Sequence, residues 1–304
     1  MPTRKQIIAG ALACLALLCI AHPASVQDAA PAKERVLKTH QFDYFYIEPA
    51  NPEHRPTYER LKQARLLEQF QEYLSPLRLP QRVNLKVQGC DGWANATFWG
   101  DDIIVCYEYF EFIMKFAPTE ERHGLTPRDA LIGPTVDVFL HEVGHAVLQI
   151  LEIPFFGGEE DVADYFATFA MLKFNKEDAR RLILGASFIS GGEALKMQNE
   201  APELRLLAAS HSLPAQRHFN RWCLAYGFDP VLFADAVTRN MMPRSRSANC
   251  RYEYLTNERA FNALIMPYID QTLMRKVLAK KWFEFESDAA NAMYGAAAQP
   301  ESKQ

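Results

Sequence analysis

The chain has 304 residues, 49% hydrophobic, 23% charged and 12% aromatic, a balance that excludes disordered, collagen-like and coiled-coil proteins. Thirty-three Lys and Arg against 37 Asp and Glu give a net charge of −4. No basic face is long enough to follow a phosphate backbone, so nucleic acid is excluded as a partner class.

In chain order, Arg4 and Lys5 precede an uncharged run, Ile7 to Ala21, and then His22-Pro23-Ala24-Ser25. This is the pattern of a secretory signal peptide over about residues 1–24, with cleavage after Ala21, Ala24 or Ser25. The run is shorter than the roughly 20 apolar residues a membrane helix needs, and no later segment reaches that length. The expectation is a periplasmic or secreted protein with no stable membrane span. Two cations and no acids leave with the signal, so the remaining chain carries −6. Cys14 and Cys19 leave too, and Cys90, Cys106, Cys223 and Cys250 remain, an even number in an oxidising compartment. Four cysteines allow three pairings. Closure of the shorter loops favours Cys90 with Cys106 and Cys223 with Cys250.

Residues 25–40 are Ala-, Pro- and charge-rich and read as a flexible leader. Alternation from Phe42 to Ile47 predicts a strand, and apolar positions from Tyr58 to Leu77 predict one helix running from Thr57 to a Leu79-Pro80 stop. Val83, Leu85 and Val87 predict a second strand. Two more, Ala94 to Trp99 and Ile103 to Tyr107, are joined by the Gly100-Asp101-Asp102 turn, and a helix follows over 108–116. From Thr126 to about Phe285 the pattern is mostly helical, and residues 287–304 read as a flexible tail. The fold class is therefore α+β: one domain over 41–286, with a small mixed sheet and helix in 41–125 and a helical lobe in 126–286.

The informative segment runs from Val136 to Leu151 and contains His141-Glu142-Val143-Gly144-His145. It reads as a helix opened near Pro134 and closed before Pro154. Residues four apart project from one face, so both imidazoles can reach a single cation, with the Glu142 carboxylate beside them. Zinc suits imidazole and needs no redox partner. A catalytic zinc takes three protein ligands and keeps one position open, so a third donor is required. The residues after His145 offer no third His at close spacing. Gly157-Gly158 instead lead into a second helix on which Glu160 and Asp164 share a face. Glu160 is the expected ligand, with Glu159 and Asp164 as alternatives; Asp164 would accept the outer N–H of a ligand histidine. Glu159 and Asp161 read as a solvated first turn favoured by the helix dipole.

His141, Glu142, His145, Glu160 and Asp164 resemble the gluzincin, thermolysin-like zinc peptidases. The resemblance implies peptide hydrolysis at one zinc ion, with Glu142 as general base toward a zinc-bound water, and a peptide or protein as substrate. It implies that Asn95-Ala96-Thr97-Phe98-Trp99 is the edge strand on which substrate backbone is laid, with Asn95 and Ala96 in contact with it. It implies a later His near the oxyanion: His211 is the candidate and His218 its rival, and Arg217 would act on substrate nearby. More narrowly, Cys90, Asn95-Ala96, Cys106-Tyr107-Glu108, both helices, His211-Ser212, Gln216-Arg217, Cys223 and Tyr226-Gly227 look like an uncharacterised family of bacterial secreted metallopeptidases. The chain departs from thermolysin in its short connection, only fourteen residues between His145 and Glu160. The competing reading is a non-catalytic secreted binding protein of degenerate peptidase fold, stapled by zinc. The retained Glu142 argues against it, because a purely structural site has no use for that carboxylate.

Overall fold

Val83, Leu85 and Val87 point their side chains into the core from the middle of a four-stranded sheet. In this computed structural model, which describes residues 35–118, 120–196 and 201–283, the strands are β1 (Phe42–Tyr46), β2 (Val83–Gln88), β3 (Ala96–Trp99) and β4 (Asp102–Cys106). The expected signal peptide 1–24, the leader up to residue 34 and the tail 287–304 lie outside the described residues. Residues of the leader stretch nearer the sheet take part in the fold: Lys38 exchanges backbone hydrogen bonds with Leu79, and the His40 N–H donates to the Ser75 carbonyl.

The sheet order is β1-β2-β4-β3, with β1, β2 and β4 parallel and β3 antiparallel to β4, so the fold is α+β with a small mixed sheet ahead of a helical majority. The link from β1 to β2 contains α1 (Arg55–Gln63) and α2 (Leu66–Tyr73), where the sequence pattern predicts a single helix. The break is at Arg65, which is left-handed with φ of 51°. The apolar spacing between Leu61 and Leu67 is six residues, nearly two turns, and α2 restarts with Leu66 and Leu67 turned into the core. Tyr46 seats α2 on β1, donating its hydroxyl proton to Glu68 at 2.7 Å and accepting from the Leu67 N–H at 2.8 Å.

After β4, α3 (Tyr107–Phe116) leads to α4 (Asp129–Ile150), buried almost all round. A helix without a polar face is a core helix. It meets β3, β4 and α3 on one side and α5 (Glu159–Met171) and α6 (Lys176–Lys196) on the other. It opens five residues before Pro134, where the sequence reading set its start. Thr126 accepts the Asp129 N–H at its hydroxyl and donates that hydroxyl to the Asp129 carboxylate, a reciprocal cap that carries the proline inside the helix.

Its crossing with α6 is made by backbone. A Cβ built on Gly133 would stand 2.4 Å from the Ala186 nitrogen, and one on Gly185 would stand 2.0 Å from the Asp129 carbonyl oxygen. The chain continues through α7 (Leu204–Leu207), α8 (Pro214–Phe228), α9 (Asp235–Thr238), α10 (Arg244–Ser247), α11 (Cys250–Leu264) and α12 (Gln271–Leu278).

Two disulfides are present, Cys90–Cys106 and Cys223–Cys250, the pairs that loop closure favours. The first closes the loop between β2 and the end of β4; the second ties α8 to α11. Peptide mapping of protein purified without reductant is expected to recover both links, and four free thiols would contradict them. Cross-linking a loop of about 15 residues is worth roughly 3 kcal/mol in the chain-entropy model, so Cys90→Ser is expected to lower the thermal midpoint by several degrees.

Candidate metal centre

His141 and His145 lie one turn apart on α4, with Gly144 between them. A Cβ on Gly144 would stand 3.1 Å from the Ala163 Cα, so the absence of a side chain lets α5 pack directly behind the two histidines. That contact brings Glu160 and Asp164, four apart on α5, against them. The Nε2 atoms of His141 and His145 are 3.2 Å apart, and each is within hydrogen-bonding distance of Glu160 Oε2, at 3.1 and 3.2 Å.

The outer nitrogens fix the tautomers. His141 Nδ1 stands 2.9 Å from Asp164 Oδ1, and His145 Nδ1 stands 2.8 Å from Glu159 Oε1. An ionised carboxylate only accepts, so each Nδ1 carries the proton and donates it. Each neutral ring is then left with its Nε2 lone pair. Two such lone pairs and a carboxylate oxygen, all acceptors, point at one place, an arrangement that a shared proton or a metal cation satisfies. The acid–base balance agrees. Burial opposes a charge on His141, but hydrogen bonds to Asp164 and Glu160 override it and push the imidazole up to about 9. Burial likewise opposes ionisation of Glu160 and Asp164, yet the hydrogen bonds that surround them hold both well below the usual carboxylate range. The site favours positive charge at its centre, and these donors fit a divalent metal.

Two arginines four apart on α8 support the floor. Arg217 donates Nε and Nη2 to the two oxygens of Asp164, both at 2.7 Å, and Arg221 donates Nη2 to Asp137 at 2.6 Å. Arg217, expected at the substrate, lines the cleft but spends these two donors on Asp164. Glu159 is exposed in the first turn of α5, as the sequence pattern leads one to expect, and from there it also reaches His145 across the close α4–α5 contact. The arginine spacing on α8 was visible in the sequence; that both partners would be acids beside the metal helix was not.

Of the two candidate late histidines, His211 joins the site, with Nε2 2.9 Å from Glu160 Oε2 and its ring 16° from parallel to that of His141. His218 is buried elsewhere, its nitrogens facing the carbonyls of Ser187 and Met241.

The donors open onto a cleft of about 660 Å³. Glu142 lines it, buried yet accepting no hydrogen bond among the described residues, and burial raises its carboxyl above the ordinary value despite the histidines nearby. Asn95, Ala96, Thr97 and Phe98 form the opposite wall. Among the described residues strand β3 pairs only with β4, which leaves its other edge open. The loop before it is clamped by Glu108, a buried carboxylate accepting the N–H groups of Cys90 and Gly92, both at 2.9 Å. Burial raises the Glu108 carboxyl, but these backbone bonds prevail and hold it below the usual range. Glu108→Ala strips two backbone donors of their acceptor. The expected loss is about 1–3 kcal/mol, read by denaturant unfolding; an unchanged midpoint would show that the disulfide alone holds the loop.

The model of a protein family described as "putative metallopeptidase" matches residues 46–265, a span containing every donor described above. No curated protein and no solved structure matches the chain.

Proposed function

Since the chain belongs to this metallopeptidase family, we propose that it is a secreted or periplasmic zinc-dependent peptidase of the gluzincin type. The observation that carries the reading is the convergence of His141 Nε2, His145 Nε2 and Glu160 Oε2 within 3.2 Å of one another, next to a buried carboxylate that accepts no hydrogen bond and a strand edge that carries no further strand among the described residues. His141, His145 and Glu160 would hold the ion. Zinc supplies Lewis acidity to the scissile carbonyl and to the attacking water when bound.

The remaining work falls to the protein. An extended peptide adds to the free edge of β3 by main-chain hydrogen bonds, with Asn95 and Ala96 at its flank, a sequence-tolerant mode of capture. Glu142 takes a proton from the attacking water at its carboxylate and delivers it to the amide nitrogen as the C–N bond breaks. Its raised affinity for a proton suits a group that must accept one and release it in the same cycle. His211 stands at the rim to stabilise the developing oxyanion. Asp164, gripped by Arg217, and Glu159 keep the outer N–H bonds of the ligand histidines in place, which holds their lone pairs on the ion.

The test is metal analysis of purified protein coupled to cleavage of an unbiased peptide library. One zinc per chain and chelator-sensitive cleavage are expected. Zinc retained with no peptide or protein cleaved would favour the non-catalytic binding protein, and absence of stoichiometric metal would sink both readings.

A further inference from the structure

The edges of a tetrahedron of ligands around zinc, with bonds of 2.0–2.1 Å, are roughly 3.3 Å long. His141–His145, His141–Glu160 and His145–Glu160, at 3.2, 3.1 and 3.2 Å, match three of them. A fourth contact is somewhat shorter: His211 Nε2 to Glu160 Oε2, 2.9 Å. His211 also lies with His141 and Glu160 in one group whose donor atoms are all within 4.8 Å of each other. An oxyanion donor has to stand back by a hydrogen bond from an oxygen that is itself next to the ion. His211 Nε2 stands instead beside the proposed ligand atom Glu160 Oε2, as a neighbouring donor would. The geometry points to His211 as a fourth, displaceable protein ligand that closes the metal site of the resting protein.

The rest of the ring is free for this role. Among the described residues its other nitrogen meets Ser210 Oγ alone, at 3.5 Å, and its side chain is about half exposed. The segment that carries it is poorly anchored: α7 buries no residue, and Leu204 and Leu207 are 80% and 58% exposed. A segment with few buried contacts lifts at small cost. Substrate entering the cleft therefore competes with one imidazole. Once displaced, the ring faces the oxyanion, so the two roles of His211 belong to two states of the site. Until that exchange the ion offers no open position, and the protein is latent.

This inference rests on the ligand assignment of the preceding section, and the experiment separates the two. X-ray absorption of the zinc-loaded protein is expected to count three imidazoles. His211→Ala and the bulkier His211→Gln should each show two, with zinc dissociation constants raised at least roughly tenfold in chelator competition. Acetohydroxamate, a small metal-binding probe, should bring the unaltered protein from three imidazoles to two. Two imidazoles in the unaltered protein, or an affinity indifferent to both substitutions, would overturn His211 as a ligand and leave the peptidase reading intact. Three imidazoles that persist with the hydroxamate bound would overturn the displacement. Failure to take up stoichiometric zinc would overturn the ligand assignment as well.

Discussion

Glu142→Gln is expected to leave the fold and the metal in place while lowering hydrolysis by at least roughly a hundredfold. The substitution keeps the size of the side chain and removes only its capacity to take a proton. Glu142 is not among the atoms that converge on the ion; it lines the cleft beside them and accepts no hydrogen bond among the described residues. No structural partner is lost with its charge. Replacing a buried carboxylate by an amide also removes a desolvation penalty, so thermal stability should hold or rise slightly. Metal content, unfolding midpoint and turnover of one cleaved peptide, measured on one preparation, decide the matter. Turnover that survives at the original rate would take the proton transfer away from Glu142.

The second large effect concerns three of the four carboxylates of α5, Glu159, Glu160 and Asp164, which do three different things. Glu160→Ala removes the oxygen on which His141, His145 and His211 all converge, and zinc binding should weaken severely, as it should for His145→Ala. Asp164→Asn keeps the shape but gives up the charge that orients His141 and holds Arg217. The expected loss is about 10- to 100-fold in affinity, the usual size for a group that acts through a ligand. Glu159 makes the matching bond to His145 from a side chain 48% exposed, where solvent competes. Glu159→Ala should therefore cost less than Asp164→Asn. Competition with a chelator ranks the three, and a ranking in which Glu159 or Asp164 outweighs Glu160 would move the ligand to another residue.

The parts of this arrangement legible in the sequence were those written in local spacing. Four-residue separations placed His141 with His145 and Glu160 with Asp164, and alternation placed the strands within a residue or two of their observed ends. Long-range partnership was less legible. Nothing near Arg217 or Arg221 shows that their carboxylates lie on α5 and α4, and nothing near Glu159 shows that a neighbouring helix will come close enough for it to reach His145. The start of α4 was misplaced for a local reason. Pro134 reads as a helix opener, but Thr126-Pro127-Arg128-Asp129 is a stronger one, with a capping hydroxyl, a proline just ahead of the helix and an acid three residues on. The break at Arg65 left only a slip in apolar spacing as its trace.

The contact of Gly133 with Gly185 limits how this protein can be altered. Most helix crossings tolerate exchange, because a larger residue on one side can be answered by a smaller one on the other. Here neither side has an atom to give up: the obstacles to a Cβ are the Ala186 nitrogen and the Asp129 carbonyl oxygen, both main chain. No second substitution can rescue the first. The histidines sit on the same helix two to three turns further on, so any shift at the crossing is carried to them. For redesign of the cleft, side chains of β3 and the His211 segment are open to variation, whereas the two glycines form a pivot whose composition has only one solution.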